Sequence, residues 1–374
     1  MKVLFSTPGF GNKGDHMMIL NVIDMIKNRY NNAQFYVPYN FKNSEFIKEY
    51  GIGYIFNMHK YRNKVHHRLL RVLGNSLDLV VPKIGNTISS KELDVIIDTS
   101  GYYVADHWGV DVVGVIARYY NRYRKNGTKI ILMPKAYGPI NNKDLITNTN
   151  ELINSADLSF AREEKSMEIL SSIGSNMDNI YVSPDFTLLI KPEFVNWFDY
   201  NQRYVVLVPN ERMLTIIDKW KYYKFLRQAY SYIRKEYKVF VLIHSKKDDE
   251  LINEIGIDAP VINSDNPRVL KGIISKAKYI VGSRYHSIIS SLSQNVPAIG
   301  TSWSHKYEEL YKEYDISNLI YNFTGEDDLK QLIFHLNDPN TYGELIGKLS
   351  KANKLREEKT LNMWNLIYKT IDSR

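Results

Sequence analysis

Short apolar runs recur at residues 3–7, 34–37, 94–98, 129–133, 157–161 and 180–182, separated by longer stretches with apolar residues at helical spacing. That alternation predicts βα units around a parallel sheet. A second series follows at 204–208, 239–243, 279–281 and 298–300, with helical patterns over 222–236 and 267–277 between its strands. Asn266 followed by Pro267 is a helix-start signal, the asparagine as cap and the proline as first helical residue. The aromatic and polar segment 191–203, which contains Pro192, marks the boundary between the two series. The pattern therefore predicts an α/β chain with two Rossmann-like, doubly wound domains facing a cleft, residues 1–195 and 196–340. A last helical stretch, 341–374, has no strand after it and is expected to pack back on the first domain.

Composition narrows the chemistry. With 374 residues, 44% hydrophobic and 24% charged, the chain can fill two cores of ordinary size. It has no cysteine, which excludes thiolate nucleophiles, disulfides and zinc-thiolate sites. The formal net charge of +8 favours anionic partners. No apolar run approaches the roughly 18 residues of a membrane span, and the first residues lack a signal peptide's apolar region, so a cytoplasmic location is expected. Basic residues Lys60, Arg62, Lys64, Arg68 and Arg71 surround Val65, Leu69 and Leu70. This is either a solvated helix or loop, or a basic amphipathic face that rests on the inner membrane surface. The basic residues are otherwise dispersed and no nucleic-acid motif accompanies them, so no nucleic-acid partner is expected. No His, Asp and Glu spacing suits a metal, and no GxSxG turn suits a serine hydrolase.

In doubly wound sheets ligands sit beyond the carboxyl ends of the strands. The polar clusters of this chain fall there. Gly9-Phe10-Gly11-Asn12-Lys13-Gly14 has the GxGxxG form between a strand and a helix, but the second strand runs into Pro38-Tyr39-Asn40 with no acid for a ribose. A nicotinamide site is thus not expected. Two readings remain: a tight turn with Asp15 at a helix N-terminus, or a loop that brings backbone N–H groups and Asn12 to a sugar or carboxylate.

Gly282-Ser283-Arg284-Tyr285-His286-Ser287 joins a buried strand to an apolar helix. Ser283 is expected to cap that helix and Arg284 and His286 to lie in its first turn, where free N–H groups, a guanidinium and an imidazole favour an anion. The alternative pairs Arg284 with a nearby acid and packs His286 under the sheet. Lys306, after Ser304, adds a point charge suited to phosphate. Arg162, Asp185 and Glu211 end or follow strands in equivalent positions.

Taken in order, these clusters resemble the polysaccharide pyruvyl transferases. The resemblance rests on GFGNKGD at 9–15, DTSGYYVADHWG at 98–109, MPKAYGPI at 133–140, ARE at 161–163 and SPDFT at 183–187. PNERM at 209–213, GSRYHS at 282–287 and SLSQNVPAIGTSWSHKYEEL at 291–310 continue it. It implies a glycosyltransferase-B-like pair of domains and phosphoenolpyruvate as donor, a co-substrate that leaves no cofactor required. The donor is then expected at Arg162, Ser283, Arg284, His286 and Lys306 in a donor side formed by 196–340, with His286 and Arg284 catalytic. Asn12, Asp15, Asp106, Glu211 and His244 are expected to serve a sugar acceptor, in a surface polysaccharide or a lipid-linked precursor. Many members carry a run of glycines where this chain has Asp98-Thr99-Ser100-Gly101-Tyr102, which places Tyr102, Tyr103 and Trp108 as side chains to stack on a different sugar. A nucleotide-sugar glycosyltransferase of the same form and a non-catalytic sugar-binding protein of capsule assembly are the competing expectations.

Overall fold

The computed structural model describes residues 1–6, 13–38, 45–55, 87–88, 90–302 and 304–373. The basic stretch 59–71, Asn12 and the rest of the glycine turn before Lys13 lie outside them, as does Trp303. The chain divides into two compact units, residues 1–10, 18–184 and 362–374, and residues 11–17 and 185–361.

The first unit carries a parallel sheet with the strand order β4-β3-β2-β1-β5-β6-β7-β8. The strands are β1 Lys2–Ser6, β2 Gln34–Pro38, β3 Gly53–Ile55, β4 Thr87–Ile88, β5 Val95–Asp98, β6 Lys129–Lys135, β7 Leu158–Ala161 and β8 Ile180–Val182. Central strands such as β1 and β5 are apolar because both faces are covered; Val3, Leu4, Phe5, Ile96 and Ile97 are fully buried. The crossover helices are α1 Lys13–Arg29, α2 Glu45–Glu49, α3 Val110–Arg124, α4 Lys143–Asn154 and α5 Glu164–Ser172. Asn142 starts α4 by accepting from the N–H groups of Asp144 and Leu145.

The second unit repeats the plan with the order β11-β10-β9-β12-β13. Its strands are β9 Tyr204–Val208, β10 Lys238–Leu242, β11 Val261–Ile262, β12 Ile280–Gly282 and β13 Ala298–Gly300. Its helices are α6 Lys219–Ile233, α7 Lys246–Ile255, α8 Pro267–Ser275, α9 Tyr285–Leu292, α10 His305–Glu313 and α11 Glu326–Asn337. Ser245 and Asp248 form a capping box at the start of α7, and Gly256 ends it in the left-handed conformation at φ 72°. Asn266 caps α8 through the Arg268 N–H, with Pro267 as first residue.

Two boundaries differ from the sequence expectation. The units divide at 184/185 rather than 195/196, because Phe198 buries its ring against Tyr204 and Phe240 at 5.2 and 5.0 Å and so belongs to the second core. The last helix, α12, runs Pro339–Asp372, and most of it lies in the second unit. Leu345 and Leu349 join that core, and the Tyr314 hydroxyl donates to Asn353 at 2.6 Å. Only 362–374 belongs with the first unit, where Asp372 pairs with Arg29 at 2.6 Å and Tyr368 donates to the Met25 carbonyl at 2.8 Å.

Candidate functional site

In the second unit the strand order reverses between β9 and β12, so the loops leaving these strands splay apart and open a crevice at their carboxyl ends. β12 hands over there to α9. The helix starts one residue later than expected: Arg284, not Ser283, is the cap residue. Ser283 is fully buried, and its hydroxyl accepts from Tyr222 at 3.0 Å and Thr301 at 2.8 Å. Its carbonyl accepts from Asn210 Nδ2 at 2.9 Å and the Tyr307 hydroxyl at 3.2 Å. Ser283 therefore locks the turn, and its hydroxyl is not the substrate contact expected of it.

Arg284 does pair with an acid. One guanidinium nitrogen, Nη2, donates to Asp248 and, at 3.2 Å, to Ser245 Oγ, while Nε is buried without a hydrogen-bond partner. Asp248 is fully buried; it also accepts the backbone N–H of Glu211 at 3.0 Å, His244 at 3.3 Å and Ser245 at 3.1 Å. One carboxylate thus ties together the loops after β9, β10 and β12 and fixes the direction of Arg284. Sequence reasoning missed it because Ser-x-x-Asp reads as helix punctuation; the signal available was a single acid inside a polar strand-end cluster.

His244 is buried with Nε2 against the Ser287 hydroxyl. Burial, and then the nearby charges of Arg284, His286 and Lys13, hold its pKa well below the histidine range, so it is neutral. Its expected contact with an acceptor is replaced by this internal one. Glu211 opens a 3-10 turn, Glu211–Thr215, and is partly exposed.

The first turn of α1 belongs to the same unit. A Cβ placed on Gly14 would lie 2.1 Å from His286 Nδ1, so the imidazole rests against the α1 backbone. Lys13 pairs with Asp265. His286 Nε2 stands 3.9 Å from Asp185 Oδ2. Lys306 lies 5.3 Å from the Tyr285 ring centroid, and its charge acts on Asp15. The first turns of α1, α9 and α10 thus bring Lys13, His286 and Lys306 into one unit with Arg284, and free helical N–H groups add to their positive field.

The first unit holds the other predicted residues. Arg162 is buried at the end of β7, 3.6 Å from Glu163, and a Cβ on Gly101 would lie 3.3 Å from its Nη1. Glycine at 101 leaves the guanidinium its place. Asp98, which stands in the departure from the family's glycine run, is buried. It accepts from Ser100 N–H at 2.9 Å, the Tyr103 hydroxyl at 2.8 Å and Lys135 Nζ at 2.7 Å. Tyr103 is thereby consumed by the core and corrected as a stacking residue. Tyr102 and Trp108 remain partly exposed, with His107 between them at ring distances of 5.5 Å to each. Asp106 also has a structural role: its carboxylate accepts from the Asn141 and Asn142 N–H groups and from Asn141 Nδ2 at 2.9 to 3.2 Å, which fastens two loops together. Burial would raise its pKa, but these bonds outweigh it and hold the group below the usual range. Lys135→Met, which strands Asp98 as a buried unpaired charge, is expected to cost about 3–5 kcal/mol in urea unfolding.

A sequence model of polysaccharide pyruvyl transferases matches residues 12–305. The chain belongs to that family. It is thus a transferase that acts on polysaccharide. No curated protein sequence matches it. Among solved structures, Anabaena Alr3699/HepE in complex with UDP-glucose is similar with TM-score 0.58 and 13% identity, covering 100% of both chains. A glycosyltransferase from Rickettsia africae gives 0.57 and 12%, covering 100% of this chain and 99% of that one. The UDP-GlcNAc 2-epimerase of Methanocaldococcus jannaschii gives 0.56 and 12%, covering 95% and 99%. At such identities the likeness establishes the fold, two Rossmann-like domains of the glycosyltransferase-B type.

Among the described residues, no three His, Asp or Glu side chains are grouped to hold a metal, and no helix is long and apolar enough to cross a membrane. Asp15 sets a pH dependence of stability. Burial pushes its carboxyl up to about 7, against the opposing pull of Lys306. Between the ordinary aspartate value of 3.8 and about 7 the folded chain keeps a proton that the unfolded chain has lost, so stability falls as pH rises across that window. Asp15→Asn should therefore match the wild type at pH 3.5 and be the more stable at pH 8, as read by chemical unfolding at both.

Proposed function

We propose that the protein transfers the pyruvyl group of phosphoenolpyruvate to two hydroxyls of one sugar, in a surface polysaccharide or its lipid-linked precursor, giving a cyclic ketal and inorganic phosphate. The observation that carries this reading is the gathering of Arg284, His286, Lys306 and Lys13 in one unit of a family member. A substrate with a carboxylate and a phosphate on the same carbon suits such a field. His286 is the candidate acid that protonates the methylene carbon; the alkene electron pair forms the new C–H bond and leaves C2 cationic. One sugar hydroxyl adds to C2, the C–O bond to phosphate breaks, and the second hydroxyl closes the ketal. The two hydroxyls release two protons, one replacing that spent on carbon and one leaving with phosphate or solvent. Arg284 and Lys306 hold the anionic ends and offset the charge that develops on phosphate. Arg162 is assigned to the same donor by the family resemblance. Tyr102 and Trp108 offer aromatic faces for a sugar ring, and the acceptor is expected at the cytoplasmic face of the membrane.

Thermal unfolding of the purified protein with phosphoenolpyruvate, and separately with a panel of nucleotide sugars, tests the reading, because a ligand of the native state raises apparent stability. Stabilisation by phosphoenolpyruvate that disappears in Arg284→Ala supports it. Stabilisation by a nucleotide sugar alone replaces it with glycosyl transfer, the reaction class of some structural neighbours.

A further inference from the structure

Asp185 is fully buried, and Oδ1 accepts both the N–H of Thr187 at 3.0 Å and its hydroxyl at 2.6 Å. This fixes the carboxylate plane and turns Oδ2 toward His286 Nε2 at 3.9 Å, within ion-pair range though too long for a direct hydrogen bond. The turn that carries Asp185 is held from behind. Lys271 on α8, also buried, donates to the carbonyls of Thr187 at 3.1 Å and Leu188 at 3.0 Å. A Cβ on Gly272 would lie 2.1 Å from the Glu193 carbonyl oxygen, so α8 and the turn are in close backbone contact. Burial lowers the Lys271 pKa to about 7, with Asp185 pulling the other way.

The imidazole has two unlike faces. Nε2 is sealed from solvent on the Asp185 side, and Nδ1 is packed against Gly14, whose missing side chain leaves the space that the ring itself occupies. A buried carboxylate set against one ring nitrogen selects the tautomer with its proton on that nitrogen and favours the cationic ring. We infer that Asp185 is the positioning residue of His286, holding the ring with its Nε2 proton toward the carboxylate and its Nδ1 edge against Gly14. That the ring so held is an acid rests on the proposed reaction.

Charged or titratable groups near the ring, among the described residues, include Arg284 and Tyr285 beside it in the chain, neutral His244, Lys13 and Asp15 in the first turn of α1, and Lys306 of α10, with Lys271 behind the turn. Asp185→Asn leaves all of them in place and still offers an oxygen to Thr187. The experiment is a histidine-labelled NMR titration of the full chain, with the resonance of His286 assigned through His286→Gln. Loss of the carboxylate should lower the titration midpoint of His286 by about one pH unit, a tenfold smaller imidazolium fraction at a given pH, and weaken the Nε2–H tautomer that dominates in the wild type. An unchanged midpoint, or a wild-type neutral ring protonated on Nδ1, overturns the inference. Should the asparagine variant not fold, Asp185→Ser, which keeps a cap for the turn, carries the same expectation. The readout is independent of turnover: a shifted midpoint in a protein that ignores phosphoenolpyruvate removes the reaction and leaves the pair standing, and turnover with an unshifted midpoint does the reverse.

Discussion

Arg284→Ala is expected to abolish stabilisation by phosphoenolpyruvate and to lower kcat/KM by about 10³-fold, the scale of losing a charge-assisted contact that strengthens in the transition state. It should also destabilise the second unit, because Asp248 stays buried without its cation. The loss should fall near the lower end of the 3–5 kcal/mol typical of a broken buried pair, about 3 kcal/mol, since three backbone N–H groups remain on the carboxylate. These two effects are separable. Arg284→Lys keeps a cation for Asp248 but loses the planar fork, so it should recover most of the stability while still losing at least about tenfold in kcat/KM. Urea unfolding and steady-state kinetics on both variants decide the matter. Near-normal turnover by Arg284→Ala would remove Arg284 from the donor site, whatever the stability shows.

The legible part of the fold was the part set by covered apolar runs. Every strand expected from such a run is present, because a strand buried on both faces needs several consecutive apolar residues. Gly53–Ile55, Thr87–Ile88 and Val261–Ile262 gave no such signal: each has three residues or fewer and pairs at or near a sheet edge. Of the candidate site, what was legible is placement: Arg284 and His286 stand where a strand ends and a helix begins, and Asp15 in a first turn. What the chain does with neighbouring polar residues was not. Ser283, Asp106 and Tyr103 read as site residues, yet Ser283 and Asp106 bond partners 18 and 35 residues away and Tyr103 closes on Asp98 within its own loop, and only the folded chain shows those partners. Asp248 is the reverse case, an ordinary capping residue by sequence that becomes the hub of three loops.

Gly14→Ala is the most selective test of the site, because it adds one methyl group and removes no functional group. The new carbon would stand 2.1 Å from His286 Nδ1 and 2.7 Å from Cγ and Cε1, so the ring must move by more than an ångström to reach ordinary contact. Displacement of a reacting group by about 1 Å costs on the order of 100-fold in rate. Stability should change little. Alanine in a helix gains up to roughly 1 kcal/mol over glycine, which offsets much of the cost of crowding this buried position against one partly exposed side chain. The expected variant therefore melts close to the wild type, still responds to phosphoenolpyruvate through Arg284, and turns over about 100-fold more slowly. A double-mutant cycle identifies the cause. If alanine acts by moving the imidazole, it should cost almost nothing further in a His286→Gln background, where the acid is already gone. Additive losses would mean that Gly14 serves the substrate directly, through backbone N–H groups of the α1 first turn rather than through His286.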